Sequence, residues 1–342
     1  MALKTVTIAG GGLAGLALGI GLRRHGVPVT LLEAGSYPRH RVCGEFVSGI
    51  QPEELEALGI RDLFAAALRP RETAWFDGER LFFRGTLPES GYGVSRHWLD
   101  QALAERFVDL GGELRTGQRW EGGGLEAGTV LASGRVVTER REEGAGWFGI
   151  KAHYGELECV ADLEVHLGEG AYVGVTPVGE GWVNVTGLFR EGVGGGKELM
   201  ERAVARAGLG GLAARLAGAR QRPGSLKGVN RFRLGWQPGY GRGIRVGDAA
   251  AMIAPVTGNG MTMALQGACL VLEPLLGWSR GELEWAAAER GVCLGQRRRF
   301  GARLFWAEAL QRVLMTGWSR RVCGFVLGRD WVSFDTLYRM VR

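Results

Sequence analysis

Residues 5–33 read TVTIAGGGLAGLALGIGLRRHGVPVTLLE. A short apolar run, Thr5–Ala9, meets three consecutive glycines; a helix-compatible run continues to His25, and a second apolar run, Val29–Leu32, ends on Glu33. The pattern predicts a compact βαβ unit whose turn carries G-x-G-x-x-G at Gly10, Gly12 and Gly15, with Leu13 and Ala14 inside it. The first glycine permits the tight turn, the second lets backbone approach a pyrophosphate, and the third lets helix and strand pack closely. The helix start offers free N–H groups and a positive dipole end to phosphate. Glu33 follows Gly10 by 23 residues, a spacing that suits a carboxylate accepting hydrogen bonds from an adenosine ribose.

A second glycine site lies far downstream. Residues 243–268 read GIRVGDAAAMIAPVTGNGMTMALQGA, a strand ending at Gly247-Asp248 and a turn leading into a helix. Here the chain resembles the FAD-dependent superfamily of aromatic hydroxylases, flavin-dependent halogenases and geranylgeranyl reductases. The resemblance implies that Asp248 holds the ribitol chain of FAD. It also implies that backbone at Pro255, Gly258, Asn259, Gly260 and Met261 approaches the isoalloxazine, with the helix dipole stabilising the anionic reduced ring. Two further stretches match. Tyr37–Glu45, YPRHRVCGE, is similar to the "P…CGE" segment of the reductase and halogenase branch, which places Cys43 and Gly44 beside the flavin. Cys43 reads either as a structural thiol or as a mechanistic one, and Arg41, like Arg39, either as a phosphate contact or as a solvated cation. Residues 95–100, SRHWLD, resemble a segment whose arginine, here Arg96, touches the cofactor; a surface ion pair is the other reading.

The resemblance departs at two places. Ser133 stands where the family carries an aspartate that meets FAD and the reduced nicotinamide, which leaves NADPH or NADH as one electron donor and a separate reductase as another. Gly174 and Thr176 stand where geranylgeranyl reductases carry an aromatic pair, which reshapes the pocket.

The remaining pattern organises the chain. A helix opens at Pro52, another spans Arg96 to about Leu110, and short strands are expected at Glu113–Arg115 and Thr129–Leu131. Four strand-like runs between Trp147 and Phe189 predict an antiparallel sheet, followed by a helical pattern from Lys197 to about Ala219. The expected architecture is α/β. A discontinuous Rossmann-like FAD domain (1–70, 95–135, 236–275) carries an inserted β-rich substrate domain (71–94, 136–235), and C-terminal helices (276–342) close the chain. Along Trp147–Tyr154 side chains alternate, so Trp147, Lys151 and His153 share one face and Phe148, Ile150 and Tyr154 the other. Lys151 and His153 are acid–base candidates. The favoured expectation is that this polar face meets solvent while the aromatic face lines the cavity. Tyr172 and Thr176 share a face and are candidate substrate contacts.

Composition bounds the rest. The chain has 342 residues, 46% of them hydrophobic, with 59 glycines and a formal charge of +6. Residues 296–342 hold ten arginines against three acids, leaving 32 basic and 33 acidic residues elsewhere, so the basicity belongs to the tail. Phe300, Leu304, Ala307, Leu310 and Leu314 fall at helical spacing there. One reading is a helix docked on the FAD domain; the other is a peripheral contact with an anionic membrane at its inner face. No nucleic-acid recognition motif accompanies the charge. Five scattered cysteines and five unpaired histidines give no metal-ligand spacing, and the thiols fit a reducing cytoplasm. No run reaches roughly 18 apolar residues. The expectation is therefore an FAD-dependent oxidoreductase acting on a small, apolar molecule. A monooxygenase using O2 leads; a reductase acting on a C–C double bond, a halogenase and a non-catalytic FAD-binding protein are the alternatives.

Overall fold

The computed structural model describes residues 2–122, 126–135, 147–190, 196, 198–230, 233–317 and 333–342. In chain order, the first part comprises β1 (Val6–Ala9), α1 (Leu13–Arg24), β2 (Val29–Glu33), β3 (Phe46–Val47), α2 (Pro52–Leu58), β4 (Glu72–Asp77), β5 (Arg80–Thr86) and β6 (Tyr92–Gly93). The middle comprises α3 (Arg96–Asp109), β7 (Glu113–Thr116), β8 (Thr129–Leu131), β9 (Phe148–Gly155), β10 (Leu163–Gly168), β11 (Ala171–Gly179), β12 (Trp182–Phe189), α4 (Leu199–Arg206) and α5 (Gly210–Gly218). The remainder comprises β13 (Arg220–Gln221), β14 (Lys227–Asn230), β15 (Gly235–Trp236), β16 (Ile244–Arg245), β17 (Ala251–Met252), α6 (Gly260–Arg280), α7 (Trp285–Met315) and a last helix, Phe334–Met340.

The first sheet is wholly parallel, in the order β16-β8-β1-β2-β7. Its central strand β1 is short and largely buried, as expected where both faces are covered, whereas the edge strand β7 is polar and exposed. α1 is buried along nearly its whole length, with Leu16, Leu18, Ile20 and Leu22 fully enclosed between the sheet, α3 and α6. Gly10 has φ +118°, and a β-carbon there would fall 2.2 Å from the Ala132 carbonyl oxygen. Only glycine makes this turn.

The second sheet runs β13-β9-β12-β11-β10-β4-β5, with β14 also on β9. The four runs expected as antiparallel strands are all present, but β9 pairs with β12 rather than with its chain neighbour β10. The hairpin β4–β5 joins the same sheet, and β4 lies parallel to β10. One face packs on α4 and α5 through Ile150, Tyr154, Val173, Val185, Met200 and Leu212. The helical pattern from Lys197 to about Ala219 forms two helices, α4 and α5, separated at Gly208 (φ +78°).

The expected stripe on the tail is buried. Phe300, Leu304 and Ala307 pack against Ala251, Ile253 and Met263; Leu314 packs against Val165, Tyr172 and Val256. Each large side chain so buried contributes roughly 1.5–3 kcal/mol, which docks this face of α7 on the body of the protein. Trp318, Arg320, Arg321, Phe325 and Trp331 lie outside the described residues. By length and hydropathy α6 could cross a membrane, a property not expected from the sequence; here it is the core helix against α1, α2 and α7.

Candidate active site

A cavity of about 1610 Å³ runs between the two sheets. Gly10, Gly12, Leu13, Ala14 and Glu33 line one end. α1 and α6 both start at this cavity without a side-chain cap and without an acid in the first turn. Their free N–H groups and positive ends therefore point into it unspent. A β-carbon on Gly12, Gly44, Gly134 or Gly260 would meet nothing within 4 Å, although all four glycines line the cavity. The backbone there is stripped of side chains around open space, which is the cradle a dinucleotide requires. Ser133, Asp248, Pro255, Gly258 and Met261 line the same cavity. Burial pushes the Asp248 carboxyl up, against the pull of Arg96 and Arg135. Gly15 does not reach the cavity; a β-carbon on it would strike the Gly10 carbonyl, so it acts through close helix–strand packing. Asn259, expected at the cofactor, is buried behind the loop and donates its amide to the Val341 carbonyl, tying the C-terminal helix to the glycine turn.

Glu33 braces the first turn. Its carboxylate accepts from the Gly11 and Gly35 amides at 2.9 and 2.7 Å, pairs with Arg39 at 2.7 Å and meets Arg41 at 3.4 Å. Burial pushes its pKa up, but these donors outweigh it and the net shift is downward. Arg41 and Arg96 share one counter-ion, the fully buried Asp100, at 3.0 Å and 2.6 Å. Both arginines line the cavity, so Arg96 is a buried, oriented cation at the wall rather than a surface ion pair, and Arg41 is not a solvated one.

The polar face of β9 is where expectation fails. Lys151 and His153 are fully buried, and the opposite, aromatic face packs on helices. Both polar side chains close on Glu45, at 3.1 Å for Lys151 Nζ and 2.5 Å for His153 Nε2. Glu45 also accepts the Arg96 amide at the start of α3, at 2.9 Å. Burial pushes the Glu45 carboxyl up, but the His153 hydrogen bond and Lys151 charge hold it below its ordinary value. Burial lowers the pKa of both Lys151 and His153, against the pull of Glu45. A neutral His153 therefore donates through Nε2, leaving Nδ1 buried without a partner. Lys151 also meets His40 Nδ1 at 3.1 Å, and His40 reaches the cavity wall. On the neighbouring strand, Asn184 and Thr186 donate to the Cys43 carbonyl at 3.0 and 2.9 Å. The sheet thus grips the Cys43–Glu45 segment and sets Cys43 and Gly44 on the cavity wall. Burial pushes the Cys43 thiol up, against a thiolate nucleophile.

The far end of the cavity is apolar, with Trp75, Phe83, Leu188, Leu314 and Phe334 on its wall. Tyr172 and Thr176, the candidate substrate contacts, line the cavity from β11. Glu45 and Asp100 carry weight that the sequence reading did not assign; both stood inside quoted motifs, but no spacing links them to β9 or to Arg41.

No protein-family model and no curated protein sequence matches the chain. Solved structures do. p-Nitrophenol 4-monooxygenase PnpA from Pseudomonas putida superimposes with a TM-score of 0.76 at 15% identity, over 99% of this chain and 96% of its own. The fold is that of FAD-dependent monooxygenases and halogenases. The flavin-dependent brominase Bmp2 gives 0.73 at 18% identity, over 100% and 93% of the two chains. PqsL of P. aeruginosa, solved with 2-aminobenzoylacetate, gives 0.69 at 17% identity, over 93% and 98%.

Proposed function

We propose that the chain is an FAD-dependent monooxygenase that hydroxylates an apolar or aromatic small molecule. The observation that carries this reading is a single cavity joining a glycine-lined end, faced by two uncapped helix N-termini, to an aromatic end. Gly10–Ala14 and the start of α1 would hold the pyrophosphate, Asp248 the ribitol, and Gly258–Met261 the ring. When bound, FAD supplies two-electron redox chemistry and, once reduced, reaction with O2. The protein's share is to bind, orient and exclude water. Arg96, fixed by Asp100, brings a permanent cation to the cavity wall beside Cys43. Trp75, Phe83, Tyr172 and Leu314 would form an apolar compartment for the substrate. The aromatic compounds named for PnpA and PqsL favour an aromatic substrate. Without an acid at position 133, NADPH or NADH is one donor and a separate reductase the other; anaerobic mixing with each separates them.

A second reading, a reductase of C–C double bonds, is favoured by the CGE segment at the cavity wall. Incubating the FAD-loaded, reduced protein with candidate aromatics under isotopically labelled O2 separates the two. A monooxygenase leaves one labelled oxygen in the product; a reductase leaves none.

A further inference from the structure

We propose that the outward face of α7 is a docking surface for an anionic phospholipid membrane. The inward face of this helix is buried through Phe300, Leu304, Ala307 and Leu314. The outward face carries Leu294, Phe305 and Trp306, which are 56%, 65% and 43% exposed. The two rings meet edge to face, with 5.2 Å between centroids. Seven residues make almost two helical turns, so Arg298, Phe305 and Arg312 lie in one row along the helix, and both arginines are exposed. Between Arg290 and Met315 the helix carries six arginines against one acid, Glu308. Of the six, only Arg303 is buried. Glu308 pairs with Arg312 and Glu54 with Arg299, each at 2.5 Å. Among the described residues, no carboxylate comes within 4 Å of Arg290, Arg297 or Arg298.

Area and charge select the partner. A specific protein interface takes roughly 800 Å² from each side. An aromatic side chain offers about 150–250 Å², so the exposed parts of Phe305 and Trp306 supply about 160–270 Å² together. That is too little apolar surface to hold a protein partner or a second copy of the chain. It suits a bilayer, which needs no matching shape. The two rings would enter the boundary between headgroups and acyl chains, and the arginine stems would lie along it with their charges at the phosphates. The negative potential of an anionic leaflet attracts each arginine near it, and the helix between Arg290 and Met315 opposes that attraction with a single acid. On its inner side the same helix sends Leu310 and Leu314 to the cavity wall. A bilayer on the outward face would therefore lie within one helix diameter, about 10–12 Å, of the apolar end of the cavity.

The test is co-sedimentation of the full chain with vesicles of phosphatidylcholine and phosphatidylglycerol in equal parts, and with vesicles of phosphatidylcholine alone. Wild type should partition about tenfold or more in favour of the anionic vesicles, and added salt should weaken that partition. Arg298→Gln/Arg312→Gln should lose about 10–30-fold of it, at the attraction expected for two cations beside an anionic surface. Phe305→Ser/Trp306→Ser should lose about tenfold or more, through the apolar surface removed. All four side chains are exposed, so both variants should keep the unfolding midpoint and FAD affinity of wild type. Wild type that stays in the supernatant, or that binds both kinds of vesicle equally, would overturn the proposal. So would wild-type partition in either variant, which would move the contact to another surface. Self-association without vesicles that Phe305→Ser/Trp306→Ser abolishes, with no partition onto lipid, would assign the face to a second copy of the chain.

Discussion

Replacing Glu45 by Gln tests the strongest mechanical claim of this structure. The Glu45 carboxylate is fully buried and answers three donors: Lys151 Nζ at 3.1 Å, His153 Nε2 at 2.5 Å and the Arg96 amide at 2.9 Å. An amide can keep one or two of these hydrogen bonds but removes the charge that offsets Lys151, itself fully buried. Breaking a buried pair from one side costs about 3–5 kcal/mol, because the remaining charge is uncompensated. With a urea slope near 3 kcal/mol/M, the unfolding midpoint should drop by about 1 M or more. The double variant Glu45→Gln/Lys151→Met removes both charges and should recover most of that loss.

The pH dependence has a definite sign. Glu45 is held below its ordinary carboxyl pKa of 4.5 and His153 below its ordinary 6.5, so in acid the unfolded chain binds more protons than the folded one. The stability these groups contribute is present at neutral pH. It begins to fall as the pH drops below about 6.5 and falls more steeply below about 4.5. Glu45→Gln should flatten the lower part of that curve. A variant as stable as wild type at neutral pH, with an unchanged acid limb and no recovery in the double variant, would refute the pairing.

Other outcomes follow from single contacts. Phe300→Ala should destabilise by about 3–5 kcal/mol, read from the unfolding midpoint, because it opens a cavity under α7. Tyr172→Phe, at the aromatic end, should weaken binding or turnover of the substrate while leaving FAD affinity unchanged, as measured by titration of each ligand.

Much of this site was legible in the residues. Both glycine turns, Glu33 and Asp248 stand out because backbone that must approach a ligand tolerates few residue types, and that constraint is local. The faces of β9 are legible as an alternation, but the alternation suggests that the polar face meets solvent, and neither face does. Periodicity says which side chains travel together; it does not say what covers them. Here β9 lies against Cys43–Glu45, more than a hundred residues away in sequence, and a buried carboxylate turns a polar stripe inward. The parallel pairing of β4 with β10 was hidden for the same reason: it joins segments separated by the whole of α3. The side-chain role of Asn259, whose amide donates to the Val341 carbonyl of the C-terminal segment, has no signal in the glycine turn that contains it.

The central claim is that the glycine-lined end of the cavity holds FAD, and calorimetric titration of FAD into the purified chain tests it most directly. The account predicts one tightly bound FAD per chain. It also predicts that Gly12→Val, whose β-carbon would meet no protein atom within 4 Å and lies at the cavity, abolishes binding while leaving the unfolding midpoint near that of wild type. A wild-type chain that binds no FAD, or a Gly12→Val variant that binds it as tightly as wild type, would contradict the account.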